Sequence, residues 1–147
     1  MLIQNRMAAV ARKKSTAAQE FTISASGDDG YWEPSGSTFN SASSSVDTRQ
    51  TGDRQDGFFR FQNVTVDQGV TISSATLFLD ISSFSSPSTT IRVKFNDVDN
   101  AVAPTTVAEA DALSLGSTDT TDTTTDGTDI EIDVTSLVQD IVDRVGW

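Results

Sequence analysis

This sequence predicts an all-β fold: an antiparallel two-sheet sandwich of jelly-roll type with a short C-terminal helix. Three observations predict it. Apolar residues recur with a two-residue period in several short segments, as they do in strands with one buried face. Clusters of Gly, Asp, Asn and Ser separate those segments, where the chain must turn. Near the end, in Asp129-Ile-Glu-Ile-Asp-Val-Thr-Ser-Leu-Val-Gln-Asp-Ile-Val, the two-residue alternation gives way to a helical period.

The first element is a basic arm over residues 1–19, extended or helical, followed by the sandwich over residues 20–147. Residues 20–26 place Phe21, Ile23 and Ala25 on one side of a first strand, closed by Gly27-Asp-Asp-Gly30. Residues 31–45 are rich in Ser, Gly and Asn and contain Pro34, which predicts a loop or a weak edge strand. A short strand over 46–50 and a turn region over 51–57 lead to residues 58–64. There Phe59 and Phe61 share one face and Phe58, Arg60 and Gln62 the other, and alternation alone leaves open which set is buried. After the Asp67-Gln-Gly69 turn, Ala75, Leu77, Leu79 and Ile81 alternate with Thr76, Phe78 and Asp80 in a strand over 71–82. A turn cluster over 84–88 precedes Ile91, Val93 and Phe95, which alternate with Arg92 and Lys94 and so predict a strand with one wet face.

Thr106 is placed to cap a short helix over residues 107–113, with Glu109 near the end that favours negative charge. Residues 117–128 are a polar, low-complexity Ser/Thr/Asp tract, expected as a surface loop or a solvated strand edge. Ile130, Ile132 and Val134 then share a strand face, while Leu137, Val138, Ile141, Val142 and Val145 form a helical stripe. Thr135 or Ser136 stands where an N-cap hydroxyl would accept from an otherwise unpaired amide. Asp140 and Asp143 come too late to help the helix dipole and are read as solvated.

At 147 residues the chain is one domain, large enough for a two-layer core. It has no Cys and no His, which removes disulfides, thiolate metal sites and every triad with an imidazole base. No apolar run approaches the roughly 20 residues of a membrane helix. Ala8, Ala9, Val10 and Ala11 are too short for a secretory core, and the Arg12-Lys13-Lys14 run follows them where a signal peptide would have it in front. The chain is expected to be soluble and made in a cytoplasm. Its charge is divided. Arg6, Arg12, Lys13 and Lys14 give the first 19 residues +4 with no acid, and the remainder carries 6 basic and 21 acidic side chains, hence −15. A body so acidic repels phosphate backbones, so nucleic acid is not an expected partner, and neither is a membrane. The arm differs: it is either a disordered terminus without a partner or a segment that folds onto an acidic surface, and in the second case Leu2, Ile3, Met7 and Val10 would supply buried contact and Arg6, Arg12, Lys13 and Lys14 steering and register.

Four segments together carry a family resemblance: Gly57-Phe-Phe-Arg-Phe, Gly69-Val-Thr-Ile-Ser-Ser-Ala-Thr-Leu-Phe-Leu, Ile132-Asp-Val-Thr-Ser-Leu-Val-Gln and Arg144-Val-Gly-Trp147. They resemble the DNRLRE-type jelly-roll modules of secreted bacterial surface and polysaccharide-active proteins. With Gly27-Asp-Asp-Gly-Tyr-Trp32 and Asn96-Asp-Val-Asp-Asn-Ala-Val-Ala-Pro104 added, the chain is similar to the version found in tailed-phage virion proteins. Such modules usually run on past the Gly-Trp into further strands, so the resemblance implies a domain incomplete at its C-terminal end, and the basic arm fits the phage version better than the secreted one. The resemblance implies a non-enzymatic virion structural protein, part of a capsid, neck or tail appendage, assembled in the host cytoplasm. Its partners would be other virion proteins and copies of itself.

The rival expectation is a carbohydrate-binding or adhesion module that meets a host-surface glycan. Tyr31 and Trp32, in a loop, would be its platform rings. Asp97 and Asp99, beside Asn96 and Asn100, offer hard oxygens of the kind calcium takes, with Asp28 and Asp29 able to complete the shell. The spacing is not that of an EF-hand. Solvated turn acids and edge-packed aromatics are the plain readings of the same residues. Glu33 with Asp29 or Asp47 has the residue types of a glycosidase pair, but nothing fixes their separation, an acidic chain offers many such pairs, and no catalytic residue is expected. No cofactor is expected other than calcium.

Overall fold

The computed structural model describes residues 18–42, 46, 48, 54–80, 89–124 and 129–147. Leu2, Ile3, Arg6, Met7, Val10, Arg12, Lys13 and Lys14, expected to anchor the arm, lie outside the described residues, as do the turn expected over 84–88, Asp47 and most of the strand expected over 46–50. Seven strands and two short helices are described: β1 (Asp29–Trp32), β2 (Phe39–Asn40), β3 (Asp56–Phe59), β4 (Thr76–Leu79), β5 (Thr89–Val93), α1 (Val107–Asp111), β6 (Thr120–Thr124), β7 (Ile130–Asp133) and α2 (Thr135–Val142). All of the described pairings are antiparallel, so the all-β class with a short C-terminal helix holds. The described strands form three hydrogen-bonded sheets, ordered β2-β1-β3, β4-β7 and β5-β6, and β6 also lies against β7.

The first sheet begins later than periodicity predicts. Residues 20–24 alternate between half-buried and exposed, as their sequence does, but have no regular structure; the first strand is β1. Tyr31 and Trp32 are therefore strand residues, not loop residues. β3 starts inside the expected turn region and stops at Phe59, and the chain beyond it has Asn63 in the left-handed region at φ 56°. In the β1–β3 register Asp29 faces Phe59 and Gly30 faces Phe58. Phe58 is buried and Phe59 and Phe61 are exposed, which settles the face that alternation left open. Trp32, Phe58 and Ala110 of α1 form a core cluster, with Phe39, Ala103, Val107 and Leu113 packed on it. Gly30 is required there, because a Cβ would overlap the Asn40 carbonyl and the Phe58 ring.

The second sheet is the one the C-terminal pattern predicts. Leu77 faces Ile132 and Leu79 faces Ile130 across β4 and β7, and Ile130 and Ile132 are buried. Within the expected 71–82 strand only β4 is regular among the described residues. α2 buries Leu137 and Val142 and ends at Val142, so Val145, expected in its stripe, is 94% exposed. The N-cap expectation fails in detail. Thr135 is the first residue of α2 and its hydroxyl accepts from Ala75 N–H at 2.9 Å, tying the helix start to the approach to β4. Asp133 takes over at the helix start, accepting the Thr135 N–H at 2.9 Å.

The third sheet turns part of the polar tract into structure. β6 pairs residue by residue with β5, from Val93 facing Thr120 to Thr89 facing Thr124. At α1, Thr106 caps as expected: its hydroxyl accepts the Glu109 N–H at 3.2 Å, while the Glu109 carboxylate accepts both the N–H and the hydroxyl of Thr105, at 2.7 and 2.8 Å. Those bonds from Thr105 hold the Glu109 carboxyl below its ordinary range.

Candidate functional site

Asp28 ends the turn before β1 and Arg60 follows the last residue of β3, so the register that pairs Asp29 with Phe59 sets the two side by side. Asp28 is only 3% exposed. Its carboxylate accepts from Gln62 Nε2 at 2.5 Å and from Arg60 Nη1 at 2.9 Å, and Arg60 Nε donates to the Ala101 carbonyl at 2.8 Å. The Gln62 hydrogen bond does most to hold the Asp28 carboxyl below its usual value, burial opposes it, and Arg60 adds to the lowering through its hydrogen bond and its charge. A carboxylate so paired braces three segments of chain. The sequence signal for it is the face shared by Phe58, Arg60 and Gln62: an Arg half-buried beside a buried Phe needs an acid within reach.

Trp32 is 7% exposed and donates its indole N–H to Asp111 Oδ1 of α1 at 2.9 Å; Asp111 Oδ2 accepts the Ser35 N–H at 2.8 Å. The ring is thus a core residue tied to a helix, and it does not stand out as a sugar platform. Tyr31 is half-buried, and its hydroxyl accepts from Asn40 Nδ2 at 3.3 Å.

Asp97 and Asp99 come together, but on an arginine. Arg144 Nε donates to Asp99 Oδ1 at 2.8 Å and Arg144 Nη1 pairs with Asp97. Gly146 sits against the Asp99 carboxylate, so close that a Cβ would overlap it, and Trp147 Nε1 donates to the Val66 carbonyl at 2.7 Å. The Arg144-Val-Gly-Trp147 motif is a clamp on two loops. Asp140 accepts from the Thr118 hydroxyl and Asp143 from Gln139 Nε2, at 2.8 Å for the latter, so both have partners. Among the described residues no group of three or more Asp or Glu could hold a metal ion, and Asp28 and Asp29 do not complete a shell with Asp97 and Asp99. Of the four carboxylates expected for calcium, Asp28 meets Arg60 and Asp97 and Asp99 meet Arg144.

Two open depressions mark the surface, one lined by Phe95, Asp97, Thr118, Asp140 and Arg144, the other by Ile72, Thr120, Thr135 and Gln139. Asp29 and Glu33 are four positions apart along nearly extended chain, about 13 Å between Cα atoms at the ordinary strand rise.

The outer face of the β4–β7 sheet is the surface that the sequence reasoning did not single out. Phe78, directly opposite Glu131, is 68% exposed, and Thr76 is opposite Asp133 on the same face. Asp80, two residues beyond Phe78 in the same alternation, is also exposed. Hydrogen bonding from the Thr135 hydroxyl and amide holds the Asp133 carboxyl below its ordinary value. Among the described residues no helix is long and apolar enough to cross a membrane. No family model, no curated protein and no solved structure matches this chain.

Proposed function

We propose that this chain is a non-enzymatic structural component of a phage particle, a jelly-roll body displayed on a capsid, neck or tail and anchored there by its basic arm. The observation that carries this reading is the division of charge, +4 without an acid over residues 1–19 against −15 over the rest. An arm of that kind matches an acidic protein surface, and one weak contact repeated around a ring of copies gives high avidity. Two further features support it. Asp28 is paired with Arg60, Asp97 and Asp99 with Arg144, and Trp32 with Asp111, so these polar groups of the body hold the fold together. Phe78, exposed on the β4–β7 sheet opposite Glu131, offers an apolar surface for contact with other chains.

The decisive experiment purifies particles and counts this chain in them. Stoichiometric copies are expected, and replacing Arg6, Arg12, Lys13 and Lys14 by Glu is expected to leave a folded protein that no longer joins particles. Normal incorporation of that variant would refute the anchor. A glycan array run with and without chelator addresses the adhesion alternative, and specific, chelator-sensitive binding there would displace the structural reading.

A further inference from the structure

We propose that the outer face of the β4–β7 sheet is the docking surface for residues 1–14 of a second copy of this chain. The inference rests on the reading of the chain as a repeated particle component and names the partner of its arm.

The face is defined by register. Strand alternation brings Thr76, Phe78 and Asp80 to one side of β4, and the pairing of Phe78 with Glu131 and Thr76 with Asp133 puts two more carboxylates on the same side. A phenyl ring 68% exposed on a sheet face, opposite a carboxylate, leaves most of its apolar surface to solvent. Neither segment of the sheet supplies a cation of its own: residues 70–80 and 129–143 contain no Lys or Arg. Neighbours of this face on either strand are acidic, hydroxylic or apolar.

The arm is its complement. Arg6, Arg12, Lys13 and Lys14 are cationic, Leu2, Ile3, Met7 and Val10 are apolar, and residues 1–14 contain no acid. Apolar arm residues would cover the Phe78 ring, for which a methionine sulfur or a guanidinium over the ring face is a favourable partner. Basic residues would then meet Asp80, Glu131 and Asp133. Each chain carries one arm and one face, so the contact between copies is head-to-tail, the kind that closes into a ring or propagates. The chain's acidic body has no comparable match to a nucleic acid, whose phosphates the same face would repel.

The test uses the full chain and two variants: a face variant, Phe78→Ser with Glu131→Lys, and an arm variant, Arg12→Glu, Lys13→Glu and Lys14→Glu. Sedimentation velocity of the wild type is expected to show self-association that weakens as salt rises, and each variant alone is expected to associate at least about tenfold more weakly. An equimolar mixture of the two variants should recover a one-to-one complex, because the face variant keeps its arm and the arm variant keeps its face. A photo-reactive phenylalanine analogue at position 78, in a mixture of isotopically light and heavy chains, should cross-link to residues 1–14 of the other copy. The proposal is overturned by a wild type that stays monomeric, by association indifferent to the face variant, or by cross-links confined to one copy or to another protein. Particle incorporation is read separately. An arm variant that fails to enter particles while association ignores the face variant removes this docking surface and leaves the anchor standing; an arm variant that enters normally refutes the anchor itself.

Discussion

The indole N–H of Trp32 and the carboxylate of Asp111 meet at 2.9 Å across 79 residues of sequence, tying β1 to α1 beside the Trp32–Phe58–Ala110 core. Asp111 also accepts the Ser35 N–H, so one side chain satisfies two donors. Asp111→Ala leaves both without that partner and is expected to lower stability by about 1–3 kcal/mol in urea unfolding, with tryptophan emission moving to longer wavelength. Asp111→Asn keeps one acceptor oxygen and should lose less. Equal stability of Asp111→Ala and the wild type would show that the bond holds nothing.

Acid should weaken the protein through Asp28. Its carboxyl lies below the ordinary value of 3.8, mainly through Gln62, so the unfolded chain takes up a proton before the folded one does. The stabilising contribution is then complete above the ordinary value and is lost as pH falls through the lowered one. Glu109 and Asp133 are shifted in the same direction and add to the effect. The urea midpoint is expected to fall steadily below about pH 4. Asp28→Asn should be less stable than wild type at neutral pH and should show a shallower decline in acid; a decline of unchanged slope would remove Asp28 from the account.

A methyl group at position 30 has nowhere to go. In the β1–β3 register Gly30 faces Phe58, and a Cβ there overlaps both the Asn40 backbone carbonyl and the Phe58 ring, so β2 or the core must move. Gly30→Ala is expected to cost about 1–3 kcal/mol, the usual range for overpacking, whereas Gly27→Ala, where a Cβ meets nothing within 4 Å, should be close to neutral. Thermal melts of the two variants side by side make the comparison, and similar melting temperatures would contradict the packing at Gly30.

Alternation and capping locate elements where the inside–outside contrast is strong. Ile130 and Ile132 in β7, Leu77 and Leu79 in β4, and Leu137 and Val142 in α2 take the sides their spacing predicts, and Thr106 caps α1. Residues 20–24 fail because periodicity reports which side chains face inward and says nothing of whether a neighbouring strand offers its carbonyls and amides. β6 is the converse: Thr and Asp carry little apolar signal, yet the backbone pairs fully with β5. The polar constellations were legible only as residue types. Asp28, Asp97 and Asp99 read as candidate calcium ligands because their guanidinium partners, Arg60 and Arg144, lie 32 or more residues away in sequence and converge only in the fold. Phe78 reads as an ordinary member of an alternating strand, and its significance comes from Glu131 standing opposite.

Arg144 is expected to govern the order of the chain's end. It links Asp97 and Asp99, its carbonyl accepts from Gln68 Nε2 at 2.7 Å, and the Gly69 N–H donates to the Val142 carbonyl at 2.9 Å, so the end of α2, the 67–70 turn and the 96–100 loop share one junction. The guanidinium reaches two carboxylates at once through its fork of donors, which an ammonium cannot reproduce. Arg144→Lys should therefore recover only part of what Arg144→Ala loses. Amide exchange measured by NMR is expected to quicken in Arg144→Ala at Gly69, while Ile132 N–H, in the centre of the β4–β7 pairing, keeps its protection. If the exchange of Gly69 stays at the wild-type rate, the junction is held by its backbone bonds alone. If Ile132 quickens equally, Arg144 supports the whole domain, and its role is not confined to the C-terminal clamp.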